Sequence, residues 1–243
     1  IAYSVVIGAS EAERTLALTF TNRAAGEMRH RLLGLGVRGA QVRTFHAAAL
    51  RQLRFFWPQL SRTAFPELMS SKASIVARSL AHCKVNSDKA LVRDVSGDIE
   101  WCKSNMMDSA LIHKAKRDFA IDVATLAKVM DSYETLKKDR NLLDFDDILM
   151  LMSAAIRTRP EIQSAVHSAY RWFTVDEFQD VNPLQKSVLD LWIGERDDIC
   201  VVGDPSQTIY SFTGASSKYL TDFVKTYPNS TLVDLVRCYR CSP

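Results

Sequence analysis

The sequence predicts an α/β fold, a parallel sheet flanked by helices and interrupted by an all-helical insertion. Three observations predict it. First, the apolar runs Phe173-Thr174-Val175 and Val201-Val202 each lead into acidic residues, and one punctuated helical segment separates them. Second, a similar strand–helix–strand pattern runs from Thr15 to Phe45. Third, strand-like runs vanish between Ala47 and Asn141, where helical spacing dominates. Two strands joined through a helix are parallel neighbours, and the crossover is right-handed.

In chain order, Ile1 to Ile7 reads as the tail of a helix or a connecting segment. Thr15-Leu16-Ala17-Leu18-Thr19-Phe20 reads as a buried strand. Asn22 is the expected N-cap of a helix with Ala25, Met28 and Leu32 on its apolar face and Gly34 at its stop. Val42 to Phe45 begins the next strand. In the middle segment, Val92, Val95, Ile99 and Cys102 mark one helix, and Val123, Leu126, Met130 and Tyr133 another. Asp144 is a natural N-cap, and capping accounts for the Asp144-Phe145-Asp146-Asp147 carboxylates without a metal. Asn182 caps the helix of the central unit, Pro183 opens it and Gly194 follows it. Ser217 to Tyr227 is an expected helix and Thr231 to Val236 an expected strand. The division expected is residues 1–50 and 142–243 for the sheet domain, with residues 51–141 as the helical insertion.

The 243 residues, 47% of them hydrophobic, suffice for one good core and a second small one. No apolar run is long enough to span a membrane, and no signal pattern opens the chain, so a cytoplasmic location and no membrane partner are expected. A net charge of +3 leaves nucleic-acid binding to a local basic surface. The five cysteines are expected to be reduced thiols. Cys238 and Cys241 have C-x-x-C spacing but no second pair, which argues against zinc.

The chemistry belongs at the carboxyl ends of the strands, where open parallel sheets bind ligands. Asp176, Glu177, Asp204 and Gln207 fall there. Adjacent carboxylates after a buried strand can divide two tasks: one serves a Mg²⁺ ion, the other orients or deprotonates an attacking water. An Asp-Glu pair alone is commonly a solvated loop, so the longer strings around it carry the meaning.

Asp176-Glu177-Phe178-Gln179-Asp180 resembles the Asp-Glu-Phe/Tyr-Gln-Asp motif of superfamily 1 helicases of the UvrD/Rep/PcrA type. Val202-Gly203-Asp204-Pro205-Ser206-Gln207-Thr208-Ile209-Tyr210 resembles that family's next motif. Thr19 to Met28 is similar to motif Ia, Thr44-Phe45-His46 to the Thr-Phe-His motif, and Asp144 to Leu149 to an Asp-Phe-Asp-Asp-Leu string. Tyr239-Arg240 stands where the family has Asn-Tyr-Arg-Ser.

The resemblance implies a RecA-like motor domain, called 1A, with a helical 1B-type insertion. It implies ATP and Mg²⁺ as cofactors and single-stranded and duplex DNA as partners. By position, Asp176 would serve Mg²⁺, Glu177 the water, Gln207 the γ-phosphate and Arg240 the transferring phosphoryl group. Tyr239 would stack on adenine, and Asp204 belongs to the same nucleotide site. Phe20, Thr21, Asn22, His46, Tyr210 and Phe212 would line the DNA path. Ser211, Thr213, Cys238 and Cys241 depart from the family pattern.

No Gly-x-x-x-x-Gly-Lys-Ser/Thr string occurs in the chain. In the family it would lie just before Ile1, and a second motor domain would follow Pro243. A fragment of a longer helicase, acting in DNA repair or replication and inactive by itself, is therefore expected. Two rivals are a non-enzymatic single-stranded-DNA-binding module without a P-loop and the motor part of a helicase–nuclease.

Overall fold

A computed structural model describes residues 1–208 and 214–235. The short helix α1 (Ala2–Val6) precedes β1 (Thr15–Thr19), α2 (Asn22–Gly34), β2 (Gln41–Thr44) and α3 (Phe45–Leu60). The middle of the chain holds β3 (Glu67–Leu68), α4 (Ala73–His82), α5 (Lys89–Ser104), α6 (Val123–Asp139) and β4 (Leu142–Leu143). There follow α7 (Phe145–Thr158), α8 (Pro160–Ala169), β5 (Trp172–Val175), α9 (Pro183–Ile193) and β6 (Ile199–Val201). Two helical turns, α10 (Lys218–Thr221) and α11 (Phe223–Thr226), complete the described elements.

Among the described residues the main sheet has four strands in the order β2-β1-β5-β6, all parallel. Strand β1 aligns Leu16 with Gln41 on one side and Phe173 on the other. Every residue of β1 is buried, as a central parallel strand covered on both faces requires. Leu16, Leu18, Phe173 and Val175 join α3, α7, α8 and α9 in the larger core, while Ala17 and Val42 pack on Ala25 and Leu32 of α2. A separate core forms among α4, α5 and α6 from Ile75, Leu80, Val95, Ile99, Leu126 and Tyr133.

Several local expectations change. Thr21, not Asn22, caps α2: its backbone is extended and its side chain accepts from the Ala24 amide, so Asn22 is already helical. Gly34 is the last residue of that helix, at the stop expected, and the left-handed position after it belongs to Gly36 at φ 79°. Strand β2 stops at Thr44, whose hydroxyl caps α3, and buried Phe45 opens the helix. The boundary expected after residue 50 falls within α3, whose Phe45, Ala49, Leu53 and Phe56 all belong to the larger core. The supposedly strand-free middle contains β3, a two-residue pairing with β4 too short to leave a periodicity. The helix expected from Ser217 to Tyr227 is two short turns meeting at Asp222. Residues 231–235 form no strand, and Leu232, Val233 and Leu235 are exposed.

Candidate functional site

Strand β5 ends at buried Val175, and the next two residues turn the chain at the sheet's carboxyl edge. The Asp176 amide donates to the Leu18 carbonyl at 3.0 Å, tying the turn to β1. Glu177 adopts φ 52°, ψ 42°, a left-handed conformation that a non-glycine residue holds only when its surroundings enforce it. The enforcement is visible next door. Phe178 is fully buried, and its amide donates to the Val202 carbonyl at 2.9 Å, pinning the turn to the end of β6. Asn182 and Gln185 then form a reciprocal capping box that starts α9, with Pro183 at its first position and Gly194 at its end, as expected.

Buried Gln179 connects the two acidic loops. Its Nε2 donates to Glu177 Oε2 at 2.8 Å, and its Oε1 accepts from the Asp204 amide at 3.1 Å. A backbone N–H can only donate, so this bond fixes the amide's orientation. Asp204 continues the chain of contacts: its carboxylate accepts from the Ser206 amide at 2.9 Å and from Gln207 Nε2 at 2.8 Å. Those bonds hold the Asp204 carboxyl below its ordinary pKa. Gly203 allows the close approach. A Cβ there would collide with Gln179 Oε1 and stand 3.1 Å from the Phe178 nitrogen. Gln179 carried no role in the sequence reading; its place inside the Asp-Glu motif was the available signal.

Asp176 accepts one hydrogen bond, from the Glu177 amide at 3.1 Å. Among the described residues neither Asp176 nor Glu177 has a lysine or arginine partner. Burial, and then the neighbouring Glu177, push the Asp176 carboxyl above its ordinary pKa. Uncompensated hard oxygen ligands at a strand end suit a divalent cation with waters in its shell.

Asp176, Glu177, Asp204 and Gln207 are thus brought together. Phe20 lies at the end of β1, half-buried, 6.0 Å from the Phe45 ring. Thr21 and Asn22 are exposed at the start of α2. His46 stacks on Phe145 with ring centroids 4.1 Å apart. Burial, with Lys72 nearby, lowers the His46 pKa to about 4. Phe145 is 52% exposed on its other side, an aromatic face that the sequence reading passed over. Tyr210, Phe212, Tyr239 and Arg240, with Cys238 and Cys241, lie outside the described residues.

A second acidic group stands at the head of α7. Asp144 and Asp147 form a capping box, and both meet lysines from the helical segment. Lys137 Nζ donates to Asp144 at 2.9 Å and to Asp147 at 2.6 Å, while Lys103 Nζ reaches Asp144 at 2.7 Å and also contacts Asp147. The Tyr133 hydroxyl adds a bond to Asp144 at 2.9 Å. Asp146 takes Lys72 at 2.9 Å. Oxygens of Glu134, Asp144 and Asp147 lie within 4.8 Å of one another, but all three carboxylates are already ion-paired to Lys103 and Lys137.

Residues 1–228 match the family model for the UvrD/REP helicase N-terminal domain. The chain therefore belongs to the UvrD/REP helicase family, and its parallel sheet is the RecA-like α/β domain of that family. It is 44% identical to the ATP-dependent DNA helicase UvrD2 of Mycobacterium tuberculosis, an alignment covering 100% of this chain and 37% of the relative. It is 31% identical to the ATP-dependent DNA helicase PcrA of Leuconostoc citreum, covering 93% of this chain and 31% of that protein. The ATP-dependent DNA helicase Rep of Salmonella typhimurium is 29% identical over 96% of this chain and 35% of its own length. The chain thus spans about a third of the length of these relatives.

Proposed function

We propose that the protein containing this domain is an ATP-dependent DNA helicase that moves along single-stranded DNA and unwinds duplex, in repair or replication. The observation that carries this reading is the uncompensated Asp176–Glu177 pair, linked through Gln179 to the Asp204–Gln207 loop. Asp176 would hold Mg²⁺, which would neutralise charge on the ATP phosphates. Glu177 orients the attacking water and accepts its proton. Gln207 contacts the γ-phosphate, and its bond to Asp204 and hence to Gln179 gives a route from that contact back to Glu177. Arg240 stabilises the transferring phosphoryl group and Tyr239 stacks on adenine.

The DNA path follows Phe20, Thr21, Asn22, His46, Tyr210 and Phe212, with Phe145 added beside His46. Aromatic faces near strand ends stack on bases, and the start of α2 offers amides to a phosphate. The helical segment, residues 61–141 once all of α3 is assigned to the sheet domain, is the 1B-type insertion. A second motor domain in the full protein supplies the rest of the nucleotide site. The test is Glu177→Gln in the full-length protein. Phosphate release stimulated by single-stranded DNA should be abolished while ATP still binds; turnover at the normal rate would remove Glu177 from the role given.

A further inference from the structure

The outer side of α3 and the edge strand β2 gather cations that, among the described residues, no carboxylate neutralises. Arg51 and Arg54 lie on the solvent side of α3, and Phe55 beside them is 73% exposed. Arg29 reaches from α2 to donate to the Val42 carbonyl at 2.8 Å, on the edge strand. Arg51 donates to Gln41 Oε1 at 3.3 Å, and Arg54 lies over the Phe65 ring at 5.4 Å. Arg43, half-buried on β2, has a buried Nε with no hydrogen-bond partner among the described residues. Burial, then Arg51 and to a lesser degree Arg29, lower the Arg43 pKa, so these like charges are close enough to repel. None of the four arginines has an ion-pair partner among the described residues.

Neutral acceptors hold Arg29 and Arg51, and a ring face lies under Arg54, without cancelling their charge. Like charges gathered without counterions destabilise the isolated domain, and a polyanion would reverse that. Guanidinium groups match phosphate oxygens in geometry, and an exposed phenyl ring offers a stacking face. We propose that this surface, Arg29, Arg43, Arg51, Arg54 and Phe55, is a second nucleic-acid contact that grips a phosphodiester backbone. It rests on the helicase reading only in taking DNA as the polyanion. It extends away from the path at His46, with Arg54 about 12 Å further along the α3 axis at 1.5 Å per residue.

The test uses the full-length protein and its R51Q/R54Q variant, with salt titrations of binding to a single-stranded oligonucleotide and to a blunt duplex. Both positions are exposed on a helix, so the fold should hold. Each lost phosphate contact should lower the slope of log affinity against log salt by about 0.9 on duplex or about 0.7 on a single strand. A drop in the duplex arm assigns the surface to duplex, and a drop in the other arm assigns it to the single strand. The R51K/R54K variant should keep most of the slope. Slopes unchanged in both arms would overturn the proposal and leave the surface to a protein partner. DNA-stimulated ATP turnover of the unaltered protein, followed in parallel, separates the two claims: its absence would sink the helicase reading without touching a slope change.

Discussion

Two groups of carboxylates in this molecule have similar composition and opposite environments. Asp144 and Asp147 at the head of α7 are buried among Lys103, Lys137 and Tyr133. Among the described residues, Asp176 and Glu177 at the end of β5 have hydrogen bonds from a backbone amide and the Gln179 side-chain amide and no lysine or arginine partner. Burial alone would raise the Asp144 pKa, but Lys103 and then Lys137 outweigh it and hold the carboxyl well below its ordinary range. Burial also opposes charge on Lys103, and Asp144, Asp147 and Glu134 overcome it, raising its pKa. At Asp176 burial and the neighbouring Glu177 outweigh the one hydrogen bond from the Glu177 amide, so the shift goes the other way. A compensated carboxylate is committed to the fold; an uncompensated one is held ready for a partner.

The comparison breaks most visibly if a junction lysine is removed. Lys103→Met strands buried carboxylates and should destabilise the domain by about 3–5 kcal/mol, read as a lowered midpoint in chemical denaturation. A loss under about 1 kcal/mol would mean that water or Lys137 compensates in full, and the junction would not be a lock.

At the other region the test is steric. Gly203→Ala would force Gln179 away from the Asp204 amide, with a loss of about 1–3 kcal/mol in stability. In the full-length protein it should slow ATP turnover by loosening Glu177. Normal turnover would show that Gln179 is not what positions that carboxylate.

The pH dependence sharpens the contrast because the two signs differ. Asp144 is depressed in the fold, so its contribution is full above the ordinary value of 3.8 and is lost as pH falls through its folded value. Asp176 is raised in the fold, so its ionised form opposes folding at neutral pH, and that penalty is relieved as pH falls through its folded value. Asp144→Asn should therefore flatten the loss of stability below about pH 4, and Asp176→Asn should remove a small opposing gain. Denaturation midpoints from pH 2 to 6 for the two variants would check this; a common sign would refute the distinction.

What could be read from the chain divides along the same line. The parallel units, the Asn182 and Asp144 caps and the position of Asp176, Glu177, Asp204 and Gln207 follow from local rules of strand burial and helix punctuation. The junction did not, because Lys103 and Lys137 meet Asp144 only after three helices pack, and lysines on helices read as solvated faces. Gln179 was visible within its motif, but its bridge to Asp204 depends on the pairing of β5 with β6. Thr21 displaced Asn22 as a cap because both are good capping residues and one position cannot be resolved from composition.

The most direct measurement sets Asp144→Asn beside Asp176→Asn at pH 7, each in denaturant unfolding and, in the full-length protein, in DNA-stimulated phosphate release. Asparagine caps a helix about as well as aspartate, so the first substitution can keep the cap bond from the Asp147 amide while removing the charged oxygen that accepts from Lys103, Lys137 and Tyr133. Asp144→Asn should lose stability of order 3 kcal/mol, since it removes the buried carboxylate shared by Lys103, Lys137 and the Tyr133 hydroxyl. Asp176→Asn should keep its stability or gain less than about 1 kcal/mol after solvent screening, and should lose turnover. If Asp176→Asn instead destabilised the domain as much as Asp144→Asn and left turnover intact, the carboxylates at the end of β5 would be structural and the account would be contradicted.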